Sequence, residues 1–227
     1  MAVVKGSVIG YLSGKLGQLS ARTIKGRTIL AARPASFKVS YVPALVEIRK
    51  KFANTVAFAK AMLSLSALAE VWKAKNTGNL SVFNYVFQNN FDHSSADKPT
   101  TSNIITPDGF GTPVQSAVLT ADTITVELVA LNTRTLISPD ERVLSINGLV
   151  CYYNPVDPDE KPYEIISFND EVEAFDFELP YTFTHSLDVL QQGIAAKYQG
   201  SIIYFAVVSK GIDGKIYQHS DTYSLDS

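Results

Sequence analysis

The spacing of hydrophobic residues changes partway along this 227-residue chain, and that change limits the folds open to it. Before residue 92 apolar residues recur every three or four positions. Leu45, Ile48, Phe52, Val56, Ala59 and Leu63 mark one face of a helix. Pro43 can begin it, because the missing N–H of proline costs nothing in a first turn. The stretch Leu63–Ser66 interrupts that pattern. A second helix carries Leu68, Val71 and Trp72, and a third spans Leu80–Gln88 with Val82, Phe83, Val86 and Phe87 inward. After residue 116 the period becomes two. Val118–Leu131, Arg142–Tyr153, Glu164–Phe168, Val172–Leu179, Ser201–Lys210 and Lys215–Leu225 read as strands, the last two as a closing hairpin. Ser186–Tyr198 reads as a helix in a crossing connection. The number and spacing of strands predict an immunoglobulin-like antiparallel β-sandwich.

At the front, Gln18–Ile24 and Arg27–Arg33 flank a Lys25-Gly26 turn and predict a β-hairpin. A lone hairpin buries too little to hold its shape in water, so it needs a partner surface. Residues 92–116, rich in Asp, Ser, Thr, Pro and Gly, predict a linker. The expected class is therefore α+β: a hairpin-and-helix module over 1–91, a linker over 92–116, and the sandwich over 117–227.

Charge is distributed as unevenly as hydrophobicity. The first 75 residues hold 13 Lys/Arg and two acids, Glu47 and Glu70, whereas the remaining 152 hold seven bases and 20 acids. A net charge of −2 thus conceals a chain that is basic at one end and acidic at the other, which points to an anionic partner or head-to-tail assembly. Lys15, Arg22, Lys25, Arg27, Arg33, Arg49, Lys50 and Lys51 are the candidate contacts. They could neutralise phosphates on DNA without reading its sequence, or meet the acidic half of an adjacent copy. A solvated basic surface is the plainer alternative.

No catalytic, cofactor or metal site is expected. Gly10–Lys15 is one residue short of a phosphate-binding loop and lacks the hydroxyl that would hold magnesium. His93, His185 and His219 are scattered, and Asp157–Glu160 reads as a solvated acidic turn. Asp170, Glu171, Glu173, Asp176 and Glu178 read as an acidic strand face rather than an acid–base pair. One cysteine, Cys151, leaves no internal disulfide. The N-terminus lacks the unbroken apolar core of a secretory signal, and no apolar run reaches the roughly 18 residues of a membrane span.

Several segments resemble a family of Bacteroidota and their phages. They are Ser13-Gly14-Lys15-Leu16-Gly17, Lys25-Gly26, Arg33-Pro34, Arg49-Lys50-Lys51-Phe52, the helix LSVFNYVFQNNF, and a final hairpin closing on Ser220, Asp221 and Tyr223. The resemblance implies an N-terminal hairpin-and-helix module, an immunoglobulin-like domain and no enzyme activity. It implies a virion structural protein of a crAss-like phage, forming a neck or tail ring or lying on the capsid. The implied partners are copies of the same chain, other virion proteins and, nonspecifically, DNA. A non-viral module gripping carbohydrate or protein is the expectation from a different class.

Overall fold

The computed structural model describes residues 2–4, 12–24, 26–34 and 39–227. The chain forms two compact units, Met1–Pro43 and Ala44–Ser227.

In the first unit, β1 (Ala2–Val4), β2 (Gly14–Leu16), β3 (Leu19–Ile24) and β4 (Arg27–Ala32) make an antiparallel sheet in the order β1-β4-β3-β2. The expected hairpin is its central pair. Gly26, at φ 74°, supplies the left-handed residue of the turn. Of the described residues only Ala21 and Thr28 are buried. Gly14 and Lys15 lie in a strand, not in a loop that opens a helix. Lys25, Gly6, Gly10 and Ser36 to Lys38 of the expected connection lie outside the described residues.

The second unit starts with α1 (Pro43–Leu63), α2 (Ser66–Lys75) and α3 (Val82–Phe91). The expected break is present: α1 and α2 meet at 107°, and no single helix among the described residues is long and apolar enough to cross a membrane. Ser81 caps α3 by accepting from the Asn84 N–H at 3.2 Å. The strands that follow are β5 (Val114–Leu119), β6 (Thr123–Leu128), β7 (Glu141–Pro155), β8 (Tyr163–Glu173) and β9 (Tyr181–Ser186). The helix α4 (Val189–Ala195), opened by an Asp188–Gln191 capping box, leads to β10 (Tyr198–Gly211), β11 (Ile216–His219) and β12 (Tyr223–Asp226). Every pairing between these strands is antiparallel, and an isolated bridge of Phe110 with Ser220 is parallel. One sheet is β5-β6-β9. The other is β8-β7-β10, with β11 and β12 sharing the outer edge of β10.

Alternation along β7 and β10 sets the layering. Ile146, Val150, Tyr152, Ile203, Phe205 and Val207 face the three-stranded sheet and pack on Ile124, Val126, Leu128 and Phe183. Their neighbours Leu149, Cys151, Ile202, Tyr204, Ala206 and Val208 face the helices and pack with Phe58, Met62, Leu68, Trp72 and Val86. The central strands are therefore buried on both faces, which explains the continuous apolar run SIIYFAVV. The unit is three layers deep: three-stranded sheet, larger sheet, helices. This α+β arrangement joins the helices to the sheets in one body.

Residues 92–113 therefore do not link two domains. They form a strap pinned by polar side chains whose partners are its own backbone groups. The Asn54 amide donates to the Ser95 and Ala96 carbonyls at 3.1 and 2.8 Å, and Trp72 Nε1 donates to the Ile105 carbonyl at 2.8 Å. Asn90 Oδ1 accepts from the Ile104 N–H at 2.8 Å and from Asn103 Nδ2 at 3.0 Å. Tyr204 donates to the Thr100 carbonyl at 2.7 Å, and Thr222 Oγ1 accepts from the N–H groups of Ile105 and Thr106 at 2.9 and 3.0 Å. Ile105 is fully buried. Asn, Ser and Thr thus satisfy buried backbone here, where composition predicts a solvated linker. The observed division falls at 43/44 rather than within 92–116.

Three further expectations shift. Val118–Leu131 is a hairpin turning at Thr120–Asp122. Glu164–Phe168 and Val172–Leu179 are one strand up to Glu173, after which Ala174, at φ 50°, turns the chain out of the sheet. Lys215–Leu225 is interrupted around Ser220, whose N–H and side chain both bond the backbone of Val207.

Candidate assembly surface

Register decides which of the candidate cations act together. In the first sheet Lys15 pairs with Ser20, Arg22 with Ile29, and Arg27 with Ile24. Directly paired residues share a face, and so do residues two apart. Lys15, Arg22 and Arg27 therefore stand on one face with Ile24 and Ile29, and all three cations are exposed. The buried residues Ala21 and Thr28 belong to the opposite face. Arg33, beyond the end of β4, donates from Nη1 to the Gly17 carbonyl at 3.4 Å and closes the base of the hairpin instead.

The unit over 1–43 contains seven Lys/Arg and no Asp or Glu, while the remaining 184 residues hold 13 and 22. Its cations have no carboxylate of their own unit to meet. The field of such exposed cations is screened over about 8 Å at physiological salt.

Arg49, Lys50 and Lys51 lie on α1 of the other unit. Arg49 and Lys50 are exposed. Lys51 is half-buried, 3.8 Å from Asp92 and 4.8 Å from the centroid of the Phe91 ring, so it braces α1 against α3. The stripe expected to face inward is only partly covered. Asn54, Thr55, Phe58, Ala59 and Met62 make the buried face, rotated by roughly a quarter turn at 3.6 residues per turn. Leu45, Ile48 and Phe52 are 46, 53 and 53 % exposed. Helical periodicity identifies an apolar stripe but not where along the helix its cover ends.

Several acidic residues gather at one end of the sheets, among them Asp140, Glu141, Asp176, Glu178 and Asp213. Loops 132–142 and 174–178 enclose a cavity of about 590 Å³ lined by Leu136, Ile137, Phe175, Asp176 and Glu178, with Arg142 and the buried Glu141 beside it. A neighbouring hollow includes Asp140, Ile212 and Asp213. Leu136 and Ile212 are 94 and 85 % exposed, and Leu179 is exposed as well. Glu141 accepts from the Ser138 N–H at 2.7 Å and from Gln218, so it holds a loop. Glu171 pairs with Lys210.

The remaining titratable groups are braced in the same structural way. Asp108 accepts from Lys75 at 2.5 Å and lies 3.7 Å from His219, whose pKa is pushed down by burial. Burial pushes the Cys151 thiol up to about 12, which leaves it an inert core side chain. His185 packs beside the rings of Phe168 and Phe183, its ring centroid 5.3 and 6.3 Å from theirs. Asp157 accepts from the Asp159 N–H, and Glu160 pairs with Lys197 at 2.8 Å. Among the described residues no group of three His, Cys, Asp or Glu converges as a metal site.

No protein-family model matches the chain, and no curated protein matches it. Among solved structures, a β-glucosidase from Kluyveromyces marxianus in complex with glucose aligns with 63 % of this chain at 11 % identity and a TM-score of 0.21. The chain spans 17 % of that protein's length. A likeness so slight carries no argument about fold or activity.

Proposed function

We propose that this chain is a structural protein of a tailed-phage virion that self-assembles into a neck or tail ring, its basic N-terminal sheet packing on neighbouring subunits. One observation carries the reading. The unit over 1–43 is a sheet with seven cations, no carboxylate, and only Ala21 and Thr28 buried among its described residues. The unit is close to the roughly 40-residue size below which a domain needs stabilisation from elsewhere. An adjacent copy offers both acidic charge and surface to cover. The virion setting rests on the resemblance of the Gly-rich start, the Arg49–Phe52 helix and the closing hairpin to the phage family. We read the β layers as immunoglobulin-like. The chain crosses between sheets at β6–β7, β8–β9 and β9–β10, and the pairs β5–β6, β6–β9, β7–β10 and β10–β11 support that reading.

The test replaces Lys15, Arg22 and Arg27 with Glu. All three are exposed, so the variant folds with an unchanged circular dichroism spectrum, while sedimentation shows loss of assembly and virions lack the protein. Assembly equal to wild type refutes the reading. Normal assembly with lost, salt-dependent retention on duplex DNA moves the sheet to a DNA-facing role. Presence on heads but not on tails would place the protein as a capsid decoration.

A further inference from the structure

An edge strand leaves a row of backbone N–H and C=O groups that can pair with a further strand, and the edges of the second unit differ in how they are closed. β8 carries Glu164, Asp170, Glu171 and Glu173, charges that guard against strand addition. Beside β11 runs the strap: the Phe110 N–H donates to the His219 carbonyl at 3.0 Å, and the Phe110 carbonyl accepts from the Asp221 N–H at 2.9 Å. β9 turns the backbone of Thr182 and Thr184 outward, and pairing it with its own copy about that point would set Phe183 opposite itself. That ring already packs on Phe168 and Phe205. β5 has no such device.

Among the described residues β5 is an edge of its sheet and ladders with β6 alone. The chain has no charged residue between Asp108 and Asp122, and Val118, in the middle of this stretch, is 54 % exposed. Register identifies the backbone groups left over. The Thr120 N–H donates to the Thr123 carbonyl, and the Val129 N–H to the Pro113 carbonyl, both at 2.9 Å. With Ser116 paired to Glu127 and Val118 to Thr125, it follows that Ser116, Val118 and Thr120 turn their backbone groups to β6. Ala117 and Leu119 turn theirs outward. The register shift at Gln115 ends the regular stretch on the other side. What remains, Ser116-Ala117-Val118-Leu119-Thr120, has the same chemistry in both directions: hydroxyl, apolar, valine, apolar, hydroxyl. An antiparallel strand of the same sequence therefore matches it at every position.

We propose that β5 pairs with β5 of a second copy about a two-fold axis at Val118. Ala117 of each copy exchanges both backbone hydrogen bonds with Leu119 of the other, and the sheets join in the order β9-β6-β5-β5-β6-β9. Val118 lies opposite Val118 as a non-hydrogen-bonded pair, with Cα atoms about 4.5 Å apart. Ser116 meets Thr120 on the same outer face, and small Ala117 sits across from larger Leu119 on the inner one. Glu127, which accepts from the Ser116 hydroxyl at 2.8 Å, keeps its charge one strand back from the axis. The contact is isologous, whereas packing of the basic sheet on a neighbour is heterologous, and it does not rest on that packing. Where both hold, the two-fold joins one ring to a second.

The experiment uses full-length variants at exposed positions, so each should keep the wild-type circular dichroism spectrum. Val118→Cys should oxidise to a reducible dimer, because a self-opposed pair at about 4.5 Å fits the 4.4–6.8 Å Cα span of a disulfide. Thr182→Cys, on the edge of β9, should not, and Cys151 is buried in both. In sedimentation, Val118→Lys alone and Val118→Glu alone should each dimerise about tenfold or more weakly, because like charges then oppose each other. Mixed in equal amounts they should restore the dimer, since lysine then faces glutamate across the axis. The Lys15/Arg22/Arg27 variant should still cross-link through Val118→Cys. Val118→Cys that cross-links no faster than Thr182→Cys overturns the proposal, as does a Lys/Glu mixture no more dimeric than its components. If both Val118 charge variants assemble like wild type while the Lys15/Arg22/Arg27 variant does not, the β5 contact is wrong and assembly through the basic sheet stands.

Discussion

Cutting the chain where composition places a linker tests the layered architecture most directly. A fragment spanning 114–227 keeps every strand of both sheets but loses α1, α2, α3 and the strap. It uncovers Leu149, Cys151, Ile202, Tyr204, Ala206 and Val208, each at most 1 % exposed in the intact chain. Burying a large aliphatic or aromatic side chain is worth about 1.5–3 kcal/mol, so this face forfeits roughly 8–12 kcal/mol. Tyr204 also loses the Thr100 carbonyl that accepts its hydroxyl. A domain's net stability is about 5–15 kcal/mol, and the loss is of the same size. The 114–227 fragment should therefore aggregate or bind a hydrophobic dye, with no cooperative urea transition. A 44–227 fragment, the whole second unit, should unfold in one transition. A soluble, monomeric 114–227 fragment within about 2 kcal/mol of the longer one would falsify the view that helices and sheet share one core.

Other consequences follow from single side chains. Gly109 has no space for a Cβ, which would lie 2.4 Å from the His219 carbonyl oxygen. Gly109→Ala should cost about 2 kcal/mol in urea unfolding, whereas Gly111→Ala, with open space around it, should cost under about 0.5 kcal/mol. Equal costs would contradict the close approach of strap and β11. Because burial lowers the pKa of His219 below its ordinary 6.5, its share of stability is full above pH 6.5 and is lost as pH falls through the depressed folded value. His219→Gln should flatten the fall in urea midpoint between pH 6.5 and 5.5; an unchanged slope would remove His219 as its source. Cys151 should resist a thiol reagent at pH 8 in the native protein and react at the rate of unfolding, and fast native labelling would show the helix layer lifting on its own.

Much of the fold is legible in the sequence because local signals and tertiary roles agree. Pro43 starts a helix, Ser64 and Leu65 interrupt it, Gly26 turns the hairpin, and the Asp188 capping box opens α4. The illegible parts are those where tertiary context decides. Ser, Asn and Thr over 92–113 have a solvated composition, yet they lie on a strap held by Asn54 and Trp72, distant in sequence, and by Asn90 just before it. The turn at Thr120–Asp122 lacks glycine and proline, so β5 and β6 read as one strand. The strand β9, YTFTHS, was hidden behind the turn residues that precede it. For the candidate surface, the cations are visible as residues, but only register puts Lys15, Arg22 and Arg27 on one face. The exposure of Leu45, Ile48 and Phe52 depends on where α1 runs out of neighbours.

Among the described residues, neither hydrophobic core contains one from before Phe58. The sequence of the first unit can therefore drift, or be exchanged for that of a relative, without repacking the two cores of the second. A chimaera joined at Pro43 should therefore inherit its urea stability from the parent that supplies residues 44–227.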